Sequence, residues 1–559
     1  MANQEYDAIV VGSGISGGWA AKELTEKGLK VLLLERGQNV EHVKDYKNAT
    51  KAPWEIPHRG RRTTEMVENH PNLKRDYVLN ELVLDWWAHE DESPYVEEKP
   101  FTWFRGYQVG GRSLLWGRQS YRWSDLDFEA NAKEGIAVDW PIRYKDLAPW
   151  YDYVEKFAGI SGNNDGLDVL PDGQFMPPFD MNCVEKDVKE RIEKSFGGNR
   201  HFIHARVANI TQPLPGRPGC QARNKCWLGC PFGGYFSTQS STLPAAMATG
   251  NLTLRPWSIA NRVIYDKDTK KATGVEVVDA QTMETIEYKS KIVFLCASAF
   301  NSTQVLMRSA TDIWPEGLGS SSGELGHNVM DHHFRLGASA SVEGYEDKYY
   351  FGRRPGGIYI PRFRNVGDDK RDYLRGFGYQ GGASRSGWSR GVGEINIGGP
   401  LKEALTEPGP WSIGMTAFGE ILPYHENTIK LSKEVKDKWG MYALVMNAEI
   451  KENEKKMRKD MMDDAAEMLE AAGLKNIHTY DSGYTFGQGI HEMGTARMGR
   501  DPKTSVLNGN NQVWDAKNVF VTDGAAMTSA SAVNPSLTYM ALTARAASFA
   551  VEELKKGNL

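Results

Sequence analysis

Two groups of residues in this 559-residue chain have the types and spacing to do chemistry. The first is Gly12-Ser13-Gly14-Ile15-Ser16-Gly17. It lies between a short apolar run, Tyr6 to Val11, and a stretch that reads as a helix, Trp19 to Lys27. That is the context in which a Gly-x-Gly-x-x-Gly pattern binds a dinucleotide. Gly12 permits the tight turn, Gly14 lets the backbone approach a pyrophosphate, and Gly17 lets helix pack closely on strand. The helix N-terminus then offers free N–H groups and a positive dipole end to phosphate. Glu35 closes a second apolar strand, Lys30 to Leu34, roughly 20 residues past the glycines, where an acid accepts from ribose hydroxyls. A bare glycine pattern is equally a turn without a ligand. Strand, helix and acid in register favour the dinucleotide, and the motif alone does not choose between FAD and NAD.

The second group is Cys220, Cys226 and Cys230, separated by five and three residues and followed by Pro231. Three thiolates so close on one loop can hold a metal or cluster. Zinc wants a fourth ligand, and no histidine lies nearby in the sequence. Cysteine followed by proline also occurs at iron–sulfur ligands. The chain has five cysteines, an odd count and a poor disulfide framework. Cys183 and Cys296 stand apart and read as core residues.

The elements that must position these groups begin with one βαβ unit at the start of the chain. Between Asn251 and Leu306 the pattern predicts strands at Leu252–Leu254, Arg262–Tyr265, Thr273–Val278 and Lys291–Cys296. Residues near 335 to 450 alternate polar with apolar, as antiparallel sheet does. Glu452 to Ala472 is a charged helix whose Met457, Met461, Ala465 and Leu469 recur every four residues, the mark of a core face. A last helix runs from about Ser536 to Lys556. There is no internal repeat or low-complexity tract. The net charge is −5 (67 basic against 72 acidic residues), without the basic excess of a nucleic-acid binder. No apolar run reaches the ~18 residues of a membrane span. The N-terminus lacks a basic segment followed by an apolar one, so the expectation is a cytoplasmic protein or one co-exported to the periplasm with a signal-bearing partner. Sixteen Trp and 23 Tyr suit a carbohydrate-facing pocket, and equally a large core.

Further segments carry a resemblance. They are Gly106-Tyr107-Gln108-Val109-Gly110-Gly111-Arg112-Ser113-Leu114-Leu115-Trp116-Gly117, the stretch Leu325 to His332, and His491-Glu492-Met493-Gly494-Thr495. Val521-Thr522-Asp523-Gly524 and Asn534-Pro535-Ser536-Leu537-Thr538 complete the set. With the N-terminal glycines, they make the chain similar to the glucose–methanol–choline (GMC) oxidoreductases. The resemblance implies an α/β (overall α+β) fold: a Rossmann-like FAD-binding domain carrying an antiparallel-sheet substrate domain, as in p-hydroxybenzoate hydroxylase. It assigns residues 1–150, 200–335 and 480–559, with the cysteine loop at 219–231, to the FAD domain. Residues 151–199 and 336–479 fall to the substrate domain.

The cofactor so implied is FAD. Some members attach it to a histidine in the Gly-Gly segment; Leu115 stands at that position here, which implies non-covalent FAD. Gly110, Gly111, Arg112 and Ser113 would run past the cofactor, with Asp523, Gly524 and the backbone of Ala260 beside it. The family's active-site pair maps onto His491 and Asn534. Neutral His491 would take the hydroxyl proton, Asn534 would orient the same hydroxyl, and the helix opening at Ser536 would point its N-terminus at the flavin. His332 and His333 read as structural. The cysteine spacing resembles that of the catalytic subunits of bacterial FAD-dependent glucose dehydrogenases and glucoside 3-dehydrogenases, which carry a 3Fe–4S cluster. Those enzymes work with a small subunit bearing an export signal and with a cytochrome c.

The resemblance therefore implies a dehydrogenase that oxidises C3 of a glucoside, with hydride to flavin N5 and electrons relayed through the cluster to a cytochrome. C1 of an aldose and C2 of an aldonate are alternatives. The aldonate would need a carboxylate clamp from arginines such as Arg353, Arg354 or Arg385, which read rather as exposed loop arginines. Two further readings remain: a GMC oxidase or non-sugar alcohol dehydrogenase with structural cysteines, and a flavin-binding electron-transfer component.

Overall fold

The computed structural model describes residues 5–58, 60–76, 78–349, 355–386 and 398–559. Arg353 and Arg354 lie outside them.

Five parallel strands form the centre of the first sheet. In spatial order they are Leu252–Arg255, Val31–Leu34, Glu5–Val11, Thr285–Leu295 and Ala516–Val521. Val31 to Leu34 and Ala8 to Val10 are fully or almost fully buried: Ala8, Val10, Val31 and Leu33 share a core with Ala20, Ala21 and Leu24 of the first helix, and Ile9, Leu32 and Leu34 share the opposite one with Val263, Val275 and Val277 of an antiparallel ribbon. The first helix runs from Ile15 to Glu26, starting earlier than the sequence reading placed it. Gly17 and Gly18 are poor helix formers. They stand in its first turn because a Cβ at Gly17 would lie 1.7 Å from the carbonyl oxygen of Gly12. Tertiary packing overrides propensity there. The antiparallel ribbon Ser258–Asp266 and Lys271–Asp279 extends from the edge of Thr285–Leu295.

The second sheet is antiparallel. Its order is Lys475–Asp481, Leu336–Val342, Trp411–Glu420, Phe377–Arg385, Ile358–Ile360 and Ile203–His204, with His332–His333 also pairing along Trp411–Glu420. Ile203–His204 comes from a segment that the sequence reading gave to the FAD domain, yet it pairs with Ile358–Ile360. Val96–Glu97, from the same domain's first segment, likewise pairs with Tyr442–Asn447. Helix Glu452–Ala471 lies on this second sheet and inserts Met457, Met461, Ala465, Met468 and Leu469 into its core. The last helix, Ser536–Lys555, packs on the first helix and on Tyr144–Ala158. Among the described residues no helix is long and apolar enough to cross a membrane.

The methionine face gives a stability test. Met461 is fully buried. Met461→Ala removes packed volume worth about 2–5 kcal/mol and should lower the apparent melting temperature. Met247→Ala, at a position 55% exposed, should leave it unchanged. Equal effects would contradict this packing.

Candidate active site

A cavity of about 1500 Å³ runs through the interior, from Gly12–Ser16 and Glu35 past Arg112 and Ser113 to His491 and Asn534. It continues onto the strand Gln380–Arg385 of the second sheet and reaches Cys226 and Trp227 of the cysteine loop. The carboxyl ends of Glu5–Val11, Val31–Leu34 and Thr285–Leu295 all open into it, as open α/β sheets place their ligands.

The nucleotide end fits FAD. The helix beginning at Ile15 has no side-chain cap and no acid in its first turn, so its N-terminal N–H groups stay available. A Cβ on Gly14 would meet no protein atom within 4 Å, so its closest neighbour is the cavity itself. Glu35 is buried, which raises its carboxyl pKa, and it already accepts from Ser13 N (3.1 Å), Ser13 Oγ (2.5 Å) and Gly37 N (3.0 Å). Gly110 N donates to Ser13 Oγ at 2.9 Å, joining the Gly110–Ser113 segment to the glycine loop. Ser113 Oγ donates to Gly110 O at 2.6 Å, and Ser16, Ala260, Gly524 and Ser536 all line the cavity. Two buried polar atoms of lining residues, Arg308 Nη1 and Tyr539 Oη, have no protein partner and could engage a bound cofactor. Asp523 is turned inward: it accepts from Ser302 Oγ at 2.5 Å and Ala525 N at 3.0 Å, and burial pushes it up to about 6. It therefore shapes the loop as much as it faces the cavity.

His491 and Asn534 come together from loops 43 residues apart, with Asn534 Nδ2 3.3 Å from His491 Nε2. Burial, then His332 and Arg112, holds His491 well below the ordinary histidine pKa, so its ring is neutral. Ile490 precedes it at φ +59, strained for a β-branched residue and of a kind that clusters at functional sites. Arg112 makes a two-pronged ion pair with Glu492 (2.7 and 3.1 Å), fixing the residue after His491.

Three contacts were not visible in the sequence. Gln380 Nε2 donates to Asn534 Oδ1 at 2.8 Å. Asp331 accepts from His491 N at 3.0 Å. His332, read from the sequence as structural, has its Nδ1 2.9 Å from His491 Nδ1. The landmark Leu325–His332 pointed to the segment but not to this contact. Nothing in the pattern of Phe377–Arg385 singles out Gln380.

Arg385 is no carboxylate clamp: it donates to the carbonyl oxygens of Gly409 (2.7 Å), Glu346 (2.9 Å), Lys348 (2.9 Å) and Pro408 (3.1 Å). Cys296 is buried beside Thr522, in keeping with a core residue. Cys220, Cys226 and Cys230 share one loop, and burial followed by the two neighbouring sulfurs raises the Cys220 thiol. Ala222 N donates to Cys220 Sγ and Gly234 N to Cys230 Sγ, each at 3.4 Å. The donor chemistry suits an iron–sulfur cluster. The sulfurs are not gathered into one ligand set, however, and among the described residues no three His, Cys, Asp or Glu stand close enough to hold a metal ion.

One substitution tests the nucleotide end. Gly17→Ala would force a Cβ into the Gly12 carbonyl. Overpacking of about 1–3 kcal/mol should weaken FAD loading roughly tenfold or more, read as the flavin-to-protein absorbance ratio of purified protein. An unchanged ratio would contradict the close approach.

Comparison with known proteins agrees with this geometry. Two sequence models described as GMC oxidoreductase match residues 6–334 and 423–543. The chain is 30% identical to 2-methyl-1,2-propanediol dehydrogenase of Mycolicibacterium austroafricanum over 98% of this chain and 95% of that one. It is 26% identical to the fructose dehydrogenase large subunit of Gluconobacter japonicus over the whole of both. Pyridoxine 4-oxidase from "Mesorbium loti" has the same fold, with a TM-score of 0.60 and 18% identity over 97% and 98% of the two chains. The cavity that joins a glycine-rich phosphate cradle to a His–Asn pair thus belongs to a chain that is a member of the GMC oxidoreductase family, flavoproteins acting on CH–OH groups.

Proposed function

We propose that this protein is an FAD-dependent dehydrogenase that oxidises a ring hydroxyl of a sugar, C3 of a glucoside, to the keto sugar. The observation that carries it is the single cavity in which the nucleotide cradle, the His491–Asn534 pair and the end of strand Phe377–Arg385 from Gln380 onward meet. Bound non-covalently, FAD supplies the acceptor for the hydride leaving the carbon. The protein's part is to hold the hydroxyl and move its proton. Neutral His491 accepts the proton at Nε2. Asn534, held by Gln380, fixes the direction of the O–H. Gln119, Thr416 and Asn182 line the wider part of the cavity and can hydrogen-bond a polyhydroxylated ring, while Trp411 and Phe418 offer apolar faces to it. The helix N-terminus at Ser536, uncapped by any side chain, favours negative charge near the cofactor by about 0.3–1 kcal/mol.

Cys220, Cys226 and Cys230 are proposed as the ligands of an iron–sulfur cluster, of the 3Fe–4S type, which would provide a one-electron outlet toward a cytochrome-type acceptor. Support comes from three thiols on one loop, two with N–H donors, and from the position of Cys226 on the cavity wall. A small subunit carrying the export signal, and hence a periplasmic location, belongs to the same proposal. The name of the Gluconobacter relative, a large subunit, supports a multi-subunit assembly. A second reading, a dehydrogenase of a small diol, is favoured by the name of the Mycolicibacterium relative.

The test is anaerobic mixing of FAD-loaded protein with methyl α-glucoside and with glucose, followed by flavin bleaching. Bleaching by both is expected, since the methyl group blocks C1. Bleaching by glucose alone would leave a C1 enzyme, and bleaching by neither sugar but by a vicinal diol would establish the second reading. Iron should accompany protein purified without oxygen and be lost in Cys226→Ser. Iron-free protein with full transfer to an external acceptor would refute the cluster.

A further inference from the structure

The His491–Asn534 contact alone does not say which ring nitrogen of His491 carries its proton. Asn534 and Gln380 are both amides, and their pairing reads equally well with both flipped. The His332 side of the chain has no such freedom. His332 Nε2 lies 3.1 Å from Ala530 O and 2.9 Å from Ser531 O, and backbone carbonyls can only accept. His332 Nε2 must therefore carry a hydrogen.

His332 is 1% exposed, and burial lowers its pKa, so its ring is neutral and its Nδ1 has only a lone pair. That lone pair faces His491 Nδ1 at 2.9 Å, with the rings edge-on at 80°. The hydrogen of this bond belongs to His491 Nδ1. His491 Nε2 is then bare, accepts from Asn534 Nδ2, and leaves Asn534 Oδ1 to accept from Gln380.

We propose that His332 is a positioning residue that fixes His491 in the tautomer protonated at Nδ1, with Nε2 unprotonated on the Asn534 side. The polarity of the whole chain, from Ser531 O through both imidazoles to Gln380, is set at its carbonyl end. Those carbonyls are themselves anchored. Ala530 N donates to Glu420 Oε1 at 3.2 Å, and Ser531 Oγ donates to Asp127 Oδ1 at 2.6 Å. Ser531 is held at φ +61. Among the described residues the side-chain hydrogen bonds of His332 go to His491, Ala530 and Ser531, so it acts on Asn534 through His491.

This inference rests on the reading of His491 as the proton acceptor, but the ring tautomer can be measured without any substrate. The experiment takes FAD-loaded, ¹⁵N-histidine-labelled protein and assigns the His491 resonances by their loss in His491→Ala. The wild type should show a protonated Nδ1 and a bare Nε2. His332→Leu, which keeps bulk and removes the acceptor, should move the population toward the Nε2-protonated form. His332→Asn, whose Oδ1 can stand near the position of Nδ1, should restore the wild-type pattern. With an alcohol that bleaches the flavin, His332→Leu should lose about 10²-fold or more in kcat with KM little changed, and His332→Asn should recover most of it; a wrong-tautomer defect reaches about 10⁴-fold. A wild-type His491 protonated at Nε2, or a His332→Leu protein with the wild-type tautomer and rate, would overturn the proposal. If His332→Leu does not fold, the wild-type spectrum and His332→Asn decide it. If no alcohol bleaches the flavin while the spectra behave as stated, the functional reading fails and the tautomer assignment stands.

Discussion

One buried carboxylate ties the reacting end of this molecule together. Asp331 is fully buried and accepts four hydrogen bonds: from His332 N (2.8 Å), Gly489 N (2.9 Å), Tyr484 Oη (2.9 Å) and His491 N (3.0 Å). It joins the start of the second sheet to the loop that carries His491. Burial and the neighbouring Glu492 push it up to about 7, so its charge is costly and its four donors offset that cost. Beside it Met330 and Met493 exchange backbone hydrogen bonds, both at 2.9 Å. Removing the carboxylate would leave two backbone N–H groups of the catalytic loop buried without partners. The two imidazoles keep their geometry because their backbones share one anchor.

The two ends of the cavity face opposite electrostatic tasks. At the nucleotide end an uncapped helix and the buried, unpartnered Arg308 Nη1 favour an anionic ligand. At the reacting end burial keeps His491 and His332 neutral, and the nearby guanidinium of Arg112 is occupied by Glu492. The proposed proton transfer would go to a base that His332 and Asn534 already align. The Gly110–Ser113 segment spans the two ends: Gly110 bonds the glycine loop, and Arg112 bonds the residue after His491.

Much of the first end was legible in the sequence. Glycines between an apolar strand and a helix, with an acid after the next strand, locate this turn in the sequence, because each position is constrained by local backbone geometry. The methionine stripe of Glu452–Ala471 was legible for the same reason, as helical periodicity fixes one face. The second end was legible only by resemblance. His332 gains its meaning from a hydrogen bond to a residue 159 positions away, and Gln380 from one 154 positions away. Sheet pairing decides such contacts, and no local pattern encodes it. The carbonyls that take up the Arg385 guanidinium lie in loops whose course the sequence does not reveal. The edge strands Ile203–His204 and Val96–Glu97 are two residues long, too short to carry any periodicity.

The proposed activity requires His491 to take the proton of an alcohol as hydride leaves its carbon. The most direct measurement is single-turnover flavin reduction without oxygen, in wild type and in His491→Ala matched for FAD content, using alcohol with and without deuterium at the oxidised carbon. Bleaching should be slower with deuterium, and at least about 10²-fold slower in His491→Ala. Equal rates in the two proteins, at equal FAD content, would contradict it.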